Sequence, residues 1–386
     1  MDKLLNKTKG DRWIWLIVIL LSAISLLAVY SAIGTLAYKR GVFAETILIK
    51  HLAMIIGGIL LMYISHKIDY THYRGISKLL MVITLPLLLY TLIFGRHIND
   101  ASRWVSIPVI GFGFQTSDLA KLALITYLAR TLALKQENIK DVKQSFIPIM
   151  GAVCAVFVLI ALANLSTALM LFGVSILLLI IGRISISQIG IVLLAGGILL
   201  TGVMLLGPRH KTYMSRIHAF MHPEAANPDK SFQSDHAKIA IASGGLFGKG
   251  IGRSDEINYL PEAYSDEIYA IIVEEYGMVG GIVVICIYLF LLYRCIKIVR
   301  KSNKAFGALL AAGLSFSLTV QAFANMAVAV GLGPVTGIPL PLISMGGTSI
   351  LFTSVAFGII LSVSRDIDEP KKVLVGEINH LSPLAP

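Results

Sequence analysis

Ten apolar runs dominate this sequence, at about 13–34, 46–65, 76–95, 118–134, 147–163, 167–182, 187–207, 268–293, 306–330 and 347–364. Each is close to the roughly 20 residues that an α-helix needs to cross a bilayer core about 30 Å thick. Lipid offers no partners to backbone N–H and C=O groups, so runs of this length must be helical there. Composition agrees. Hydrophobic residues make up 56% and charged residues 14%, with a mean hydropathy of +0.79, against about 45–50% and 25% in soluble chains. The 386 residues are therefore too apolar for the two or three soluble domains that length alone suggests.

The expected fold is an all-α polytopic membrane protein with about ten transmembrane helices. Residues 1–12 and 365–386 read as tails, and 13–364 as one membrane domain with a large loop, 208–267, between spans seven and eight. The first run is too long for a signal peptide and lacks a small-residue cleavage site, so it reads as a retained helix.

Orientation follows from the basic residues. With the N-terminus in the cytoplasm, the inner segments carry 20 Lys and Arg and the short outer loops carry 4. The 208–267 loop is too long to enter this comparison. Both termini are thus expected in the cytoplasm. The net charge of +11 is then an orientation signal facing the anionic inner leaflet, and no nucleic-acid partner is expected. Cys154, Cys286 and Cys295 lie in or beside apolar runs, with no spacing for a metal site or a disulfide framework.

Two outer segments do not read as plain loops. Residues 96–117 mix Arg96, Asp100 and Arg103 with Trp104, Ile107 and Phe112, which suggests an interfacial or re-entrant stretch. Residues 331–347 hold five Gly and three Pro yet no charge. Pro334, Pro339 and Pro341 remove backbone donors, so an uninterrupted helix cannot form. Such backbone survives at membrane depth only against protein or a wet cavity. The expectation is a rigid, re-entrant outer hairpin that closes a site and helps to dock a partner.

Ionisable residues within spans are the candidates for chemistry. Lys50 and His51 lie a few residues into the second span, and are either functional or snorkel toward the outer headgroups. Asp118 and Lys121 share a helix face, as a surface ion pair or as the wall of an outward-facing cavity. Eight carboxylates lie between Asp235 and Glu275, with Asp266 and Glu274 about 12 Å apart along one helix face. A carboxylate at a loop–helix junction is partly desolvated, which suits it to proton abstraction; a helix-start acid favoured by the macrodipole is the alternative. The stretch Gly244–Ser254 lacks the spacing of a nucleotide-binding loop. Its amides, with Lys249 and Arg253, could cradle a pyrophosphate or form a turn.

The segments ASRWVSI (Ala101 to Ile107), GFGFQTSDLAKLA (Gly111 to Ala123), NLSTAL (Asn164 to Leu169), Gly244–Ser254, YLPEAYSDEIYAIIVEEYG (Tyr259 to Gly277) and GPVTGIPLPLISMGGTS (Gly333 to Ser349) occur in this order. Together they resemble the SEDS family of bacterial cell-wall polymerases, named for shape, elongation, division and sporulation. The resemblance spans residues 13–364. It implies an inverting peptidoglycan glycosyltransferase that polymerises lipid II at the outer face of the cytoplasmic membrane and releases undecaprenyl pyrophosphate. It implies Asp266 as the catalytic acid–base group, with Arg103, Gln115, Asp118, Lys121, Gln233, Lys249 and Glu262 binding substrate. On this reading Asp266 deprotonates the acceptor 4-hydroxyl, with Arg103, Lys121 and Lys249 near the departing pyrophosphate.

The implied partners are lipid II and the nascent glycan strand, a class B penicillin-binding protein acting as transpeptidase, and other membrane proteins of the division complex. No resident cofactor is implied, and a divalent cation at the pyrophosphate stays open. The Tyr259–Asp266 segment resembles division members, which points to the septum; an elongation-type polymerase, a lipid II flippase and a transpeptidase scaffold are the alternatives. The chain departs from the family pattern at four positions. Asp118 replaces a usual Glu, Thr116 a Pro and Asn164 an Asp, and Glu267 stands where an aromatic usually follows the key Asp. The Glu267 charge is expected to raise the pKa of Asp266.

Overall fold

The computed structural model describes residues 9–98, 101–107, 112–222, 228–260 and 263–368. All ten apolar runs are helical. They form α1 (Arg12–Ala32), α3 (Ala44–Lys67), α4 (Tyr70–Phe94), α5 (Thr116–Leu134), α6 (Ile147–Ala163), α7 (Leu165–Ile181), α8 (Ile186–Leu206), α11 (Ile268–Lys301), α12 (Ala305–Ala329) and α13 (Thr348–Asp368). A short helix, α2 (Gly34–Arg40), follows α1, and the long loop contains α9 (His210–Met221) and α10 (Pro228–Gly244). Among the described residues, eight of these helices are long and apolar enough to cross a membrane, α6 being counted with the helical turn Val142–Phe146 that precedes it. The 17-residue α7 is short, and α5 carries Asp118, Lys121 and Arg130. The chain is an all-α polytopic membrane protein with about eight to ten apolar spans.

Strands were not expected in the outer segment before α5. Residues 96–117 hold a three-stranded antiparallel sheet, β1 (Arg96–Ile98), β2 (Ala101–Ile107) and β3 (Phe112–Gln115), which runs directly into α5. Trp104 pairs with both Arg96 and Gln115 in register.

The helices pack through small residues, as expected where backbones must approach closely in lipid. A Cβ at Gly58 of α3 would lie 2.6 Å from Ser354 Oγ of α13, and one at Gly358 would lie 2.5 Å from the Met62 carbonyl. At the centre, α12 is surrounded; a Cβ at Gly313 would meet Ile125 of α5 at 2.6 Å and Leu178 of α7 at 2.8 Å.

The Gly-rich stretch 244–252 has a structural partner. Within α11 the helix breaks at Gly277 (φ 71°, ψ −174°), a conformation open to glycine alone. The break frees backbone groups, and the Gly-rich stretch takes them up. Lys249 N donates to Glu274 O and Gly250 N to Glu275 O, each at 3.0 Å, while Met278 N donates to Gly245 O at 2.9 Å. The loop amides are therefore committed to α11, which overturns the pyrophosphate cradle.

Residues 331–347 are non-helical, and their second half, Ile338 to Ser344, is largely covered by its own chain. Gln321 Nε2 donates to Pro339 O at 2.9 Å, Asn325 Nδ2 to Ile338 O at 2.8 Å and Ser25 Oγ to Ile343 O at 2.7 Å, and Tyr288 OH also donates to Pro341 O. Ser25 and Tyr288 belong to the interiors of α1 and α11, so the segment is tucked between helices. Leu340 and Ile343 are buried, so these two side chains face their own chain.

Gly277→Ala should be costly, because its Cβ would fall 2.2 Å from the Leu246 carbonyl and the backbone conformation alone costs about 1–3 kcal/mol. A lowered melting midpoint in detergent is expected; an unchanged midpoint would mean that the break is not locked.

Candidate active site

A cavity of about 480 Å³ opens at one end of the bundle, within the range of small-molecule sites. Its wall comes from α3 (Lys50, His51), the end of β3 (Gln115), the residues before α11 (Tyr264, Ser265, Asp266) and the Pro/Gly segment (Pro339, Met345, Gly346), with Trp104 of β2 beside them.

The position of Asp266 is fixed by backbone on both sides. Met345 N donates to Tyr264 O at 2.9 Å, and Ser344 Oγ to Ser265 O at 2.6 Å. Asn325 Nδ2 reaches Asp266 O at 2.7 Å while also holding Ile338 O. The side chain accepts from Ser265 Oγ at 3.1 Å. The Pro/Gly segment therefore sets where this carboxylate stands.

Behind Asp266 lies a second, smaller cavity of about 160 Å³, lined by Arg216, Gln233 and Lys238. Gln233 Nε2 donates to Glu267 Oε1 at 3.1 Å. Burial pushes the Glu267 carboxyl up to about 7, with the neighbouring Asp266 charge acting in the same direction and the Gln233 bond opposing it. Burial holds the Arg216 guanidinium below its ordinary value, with Arg209 acting in the same direction, while the attraction of Asp266 opposes the fall. Arg216 Nη1 also donates to Val335 O at 3.1 Å.

The other expected site residues separate. Gln115 lines the main cavity, and its amide donates to Ser117 Oγ at 3.0 Å. Arg103 lies in β2 next to Trp104, with its side chain outside the described residues, and Glu262 also lies outside them. Lys121 is not at this cavity. Its ammonium is 2.8 Å from Asp118 Oδ1 and donates to Gln321 Oε1 at 2.9 Å, and the same Gln321 holds Pro339. Asp118 and Lys121 thus form a brace between α5 and α12. Lys249 is likewise committed elsewhere, 2.7 Å from buried Glu274 and 2.9 Å from Asp255. Among the described residues, no three His, Cys, Asp or Glu side chains group as metal ligands.

The sequence reading missed Arg216, which sat uncounted in the long loop. Its signal was the basic, amphipathic character of His210–Met221. Asn164, where the family usually has Asp, is the N-cap of α7 and accepts from Thr167 N at 3.4 Å.

Lys121→Met should destabilise the protein by about 3–5 kcal/mol, because it leaves the Asp118 carboxylate buried and uncompensated. Adding Asp118→Asn should recover much of that loss in a thermal melt. A stable Lys121→Met protein would return the residue to the substrate-binding set.

Glu267 gives a pH signature. The folded chain keeps its proton up to about 7, whereas the unfolded group releases it near 4.5. Stability should therefore fall as pH rises between these values. Glu267→Gln should abolish that fall and gain on the order of 3 kcal/mol at about pH 8. Melting midpoints across this range test it, and a parent protein with a flat profile would show that Glu267 ionises freely.

Similar proteins point one way. The sequence profile of the cell cycle protein family of FtsW, RodA and SpoVE matches residues 11–369. Stage V sporulation protein E of Bacillus subtilis is 34% identical over 370 residues, covering 93% of this chain and 98% of that protein. A Geobacter sp. protein named "Probable peptidoglycan glycosyltransferase FtsW" is 33% identical over 359 residues, covering 92% and 96%. Among solved structures, a chain of "Structural coordination of polymerization and crosslinking by a peptidoglycan synthase complex" superposes with a TM-score of 0.74 at 23% identity, covering 93% of this chain and 99% of that one. Thermus thermophilus rod shape determining protein RodA superposes with a TM-score of 0.67 at 22% identity, covering 92% and 97%. With its ten helices, its Pro/Gly segment and the cavity between them all inside the matched span, the chain belongs to the FtsW/RodA/SpoVE family of cell cycle proteins.

Proposed function

We propose that the chain is a peptidoglycan glycosyltransferase that polymerises a lipid-linked disaccharide at the outer face of the bacterial cytoplasmic membrane. The observation that carries this reading is the Asp266 carboxylate on the wall of the 480 Å³ cavity, held by the Pro/Gly segment and accompanied by the Lys50 ammonium. The relatives named for this activity supply the substrate class.

The chemistry requires little else. Pyrophosphate is a good leaving group, so the reaction needs cations near the departing charge and one base on the attacking hydroxyl. Asp266 takes the proton of the acceptor's 4-hydroxyl as that oxygen bonds to the donor's anomeric carbon. The bond from that carbon to the pyrophosphate oxygen breaks in the same displacement, inverting the centre. Lys50 in the main cavity and Arg216 behind Asp266 are the described cations placed to meet the leaving charge. They replace Lys121 and Lys249, whose ammonium groups are taken by carboxylates.

The finer reading follows the charge pattern. All ten apolar helices span the membrane, both termini are cytoplasmic, and the loop with α9 and α10 lies outside. The structural relative described as a complex for polymerization and crosslinking supports a transpeptidase partner for this chain. A division-type role rests on the likeness of the Tyr259–Asp266 segment to division members.

Asp266→Asn keeps the size and hydrogen bonding of the side chain but cannot take a proton. Purified variant given lipid II should form no glycan chains, with its melting midpoint close to the parent's. Near-normal chain synthesis by the inserted variant would remove Asp266 as the base.

A further inference from the structure

The wall of the main cavity includes a histidine, His51, with a buried, unpartnered ring nitrogen that the proposed mechanism does not use. One face of α3 lines this cavity, with Thr46, Ile47, Lys50, His51 and Met54 at helical spacing. His51 is 2% exposed. Its Nε2 lies 2.8 Å from Ser25 Oγ, and Ser25 Oγ is 2.7 Å from the Ile343 carbonyl. A carbonyl oxygen only accepts, so the single hydroxyl proton of Ser25 is spent on Ile343. Ser25 must then accept from His51, which places the ring proton on Nε2. In the neutral ring Nδ1 is left as a bare lone pair, and it is buried without a protein partner.

We infer that His51 Nδ1 accepts a hydrogen bond from a donor group of the substrate sugar, a hydroxyl or the acetamido N–H, and so orients that sugar for Asp266. This rests on the polymerase reading above. The chemistry selects the sugar over the pyrophosphate, because phosphate oxygens ionised at neutral pH have no proton to give and would be repelled by a lone pair. Buried acceptors are rarely left unpaired, so a ligand donor is the natural complement. Lys50, one step around the same helix, lines the same cavity and suits the anion. Adjacent residues of α3 thus divide the substrate, the cation serving the phosphates and the lone pair serving the sugar.

The test compares the wild type with His51→Phe, which keeps a flat ring without the acceptor, and His51→Gln, whose Oε1 can accept. Wild-type chain synthesis from lipid II first tests the polymerase reading by itself. If that holds, His51→Phe should raise KM by about ten-fold, equivalent to ~1.4 kcal/mol, with little change in kcat, as for a contact made equally in ground and transition states. His51→Gln should restore most of the affinity.

Because His51→Phe could fold poorly, a second measurement uses the unaltered protein. With 15N-labelled histidine, the His51 Nδ1 resonance, assigned by its loss in His51→Gln, should move when lipid II is added. It should stay in place with undecaprenyl phosphate, which has no sugar. A resonance indifferent to lipid II, or a folded His51→Phe with KM within about two-fold of wild type, would overturn the inference and leave Nδ1 to an ordered water only.

Discussion

Irregular backbone among apolar helices must find its hydrogen-bond partners within the protein, and this chain meets that demand at two places. At Gly277 the broken α11 hands its free groups to the Gly-rich stretch, whose amides reach the Glu274 and Glu275 carbonyls. Between α12 and α13, the Pro/Gly segment is met by Ser25, Tyr288, Gln321 and Asn325 from three helices. The two solutions have different consequences. The first stabilises a loop. The second also positions chemistry, because the Asn325 amide that holds Ile338 holds Asp266 as well.

The same demand sorts the acids. Glu274 receives Lys249 Nζ, Ser254 Oγ and the Asp255 amide, and Glu275 receives the Gly252 amide and Ser31 Oγ. Both are buried, and both act as posts to which the Gly-rich loop is tied. Asp118 braces α5 through Lys121. Each would be expensive to leave without a partner in a low-dielectric interior. Asp266 differs in that it lines an open cavity, beside a second acid that burial keeps near neutrality. A buried carboxylate in this protein is therefore structural when its partners are a loop's own donors. It becomes a candidate for catalysis when a cavity meets it.

Much of this was legible before the structure. Helix number and position follow from run length alone, because bilayer thickness leaves few options. Asp266 was recognisable from its place at a loop–helix junction within a family-like segment. The cations were not. Lys121 and Lys249 carry the right charge, but the Lys121–Asp118 pair is closed by an amide 200 positions away (Gln321), and Lys249 meets a carboxylate 25 positions away (Glu274). Arg216 escaped notice because a long loop hides the helix that carries it. The sheet at 96–115 was missed because β2 lacks a two-residue alternation, with Ser102 beside Arg103 and Trp104 beside Val105.

The placement of the cavity also bears on whether the chain polymerises its substrate or carries it across the membrane. The cavity walls come from one end of each helix: the first part of α3 as far as Met54, Gln115 before α5, Asp266 before α11 and Ile350 at the start of α13. Met54 lies ten residues into a 24-residue helix, a depth of about 15 Å. Deeper in the bundle, α12 is packed so tightly that Gly313 has no room for a methyl group between Ile125 and Leu178. A carrier must open that layer to pass a charged headgroup, separating small-residue contacts that bring backbones together. A polymerase needs only what is already present, a cavity open at one end, with a fixed base on its wall and a cation beside it. The packing of α12 therefore favours chemistry at one face over passage between two.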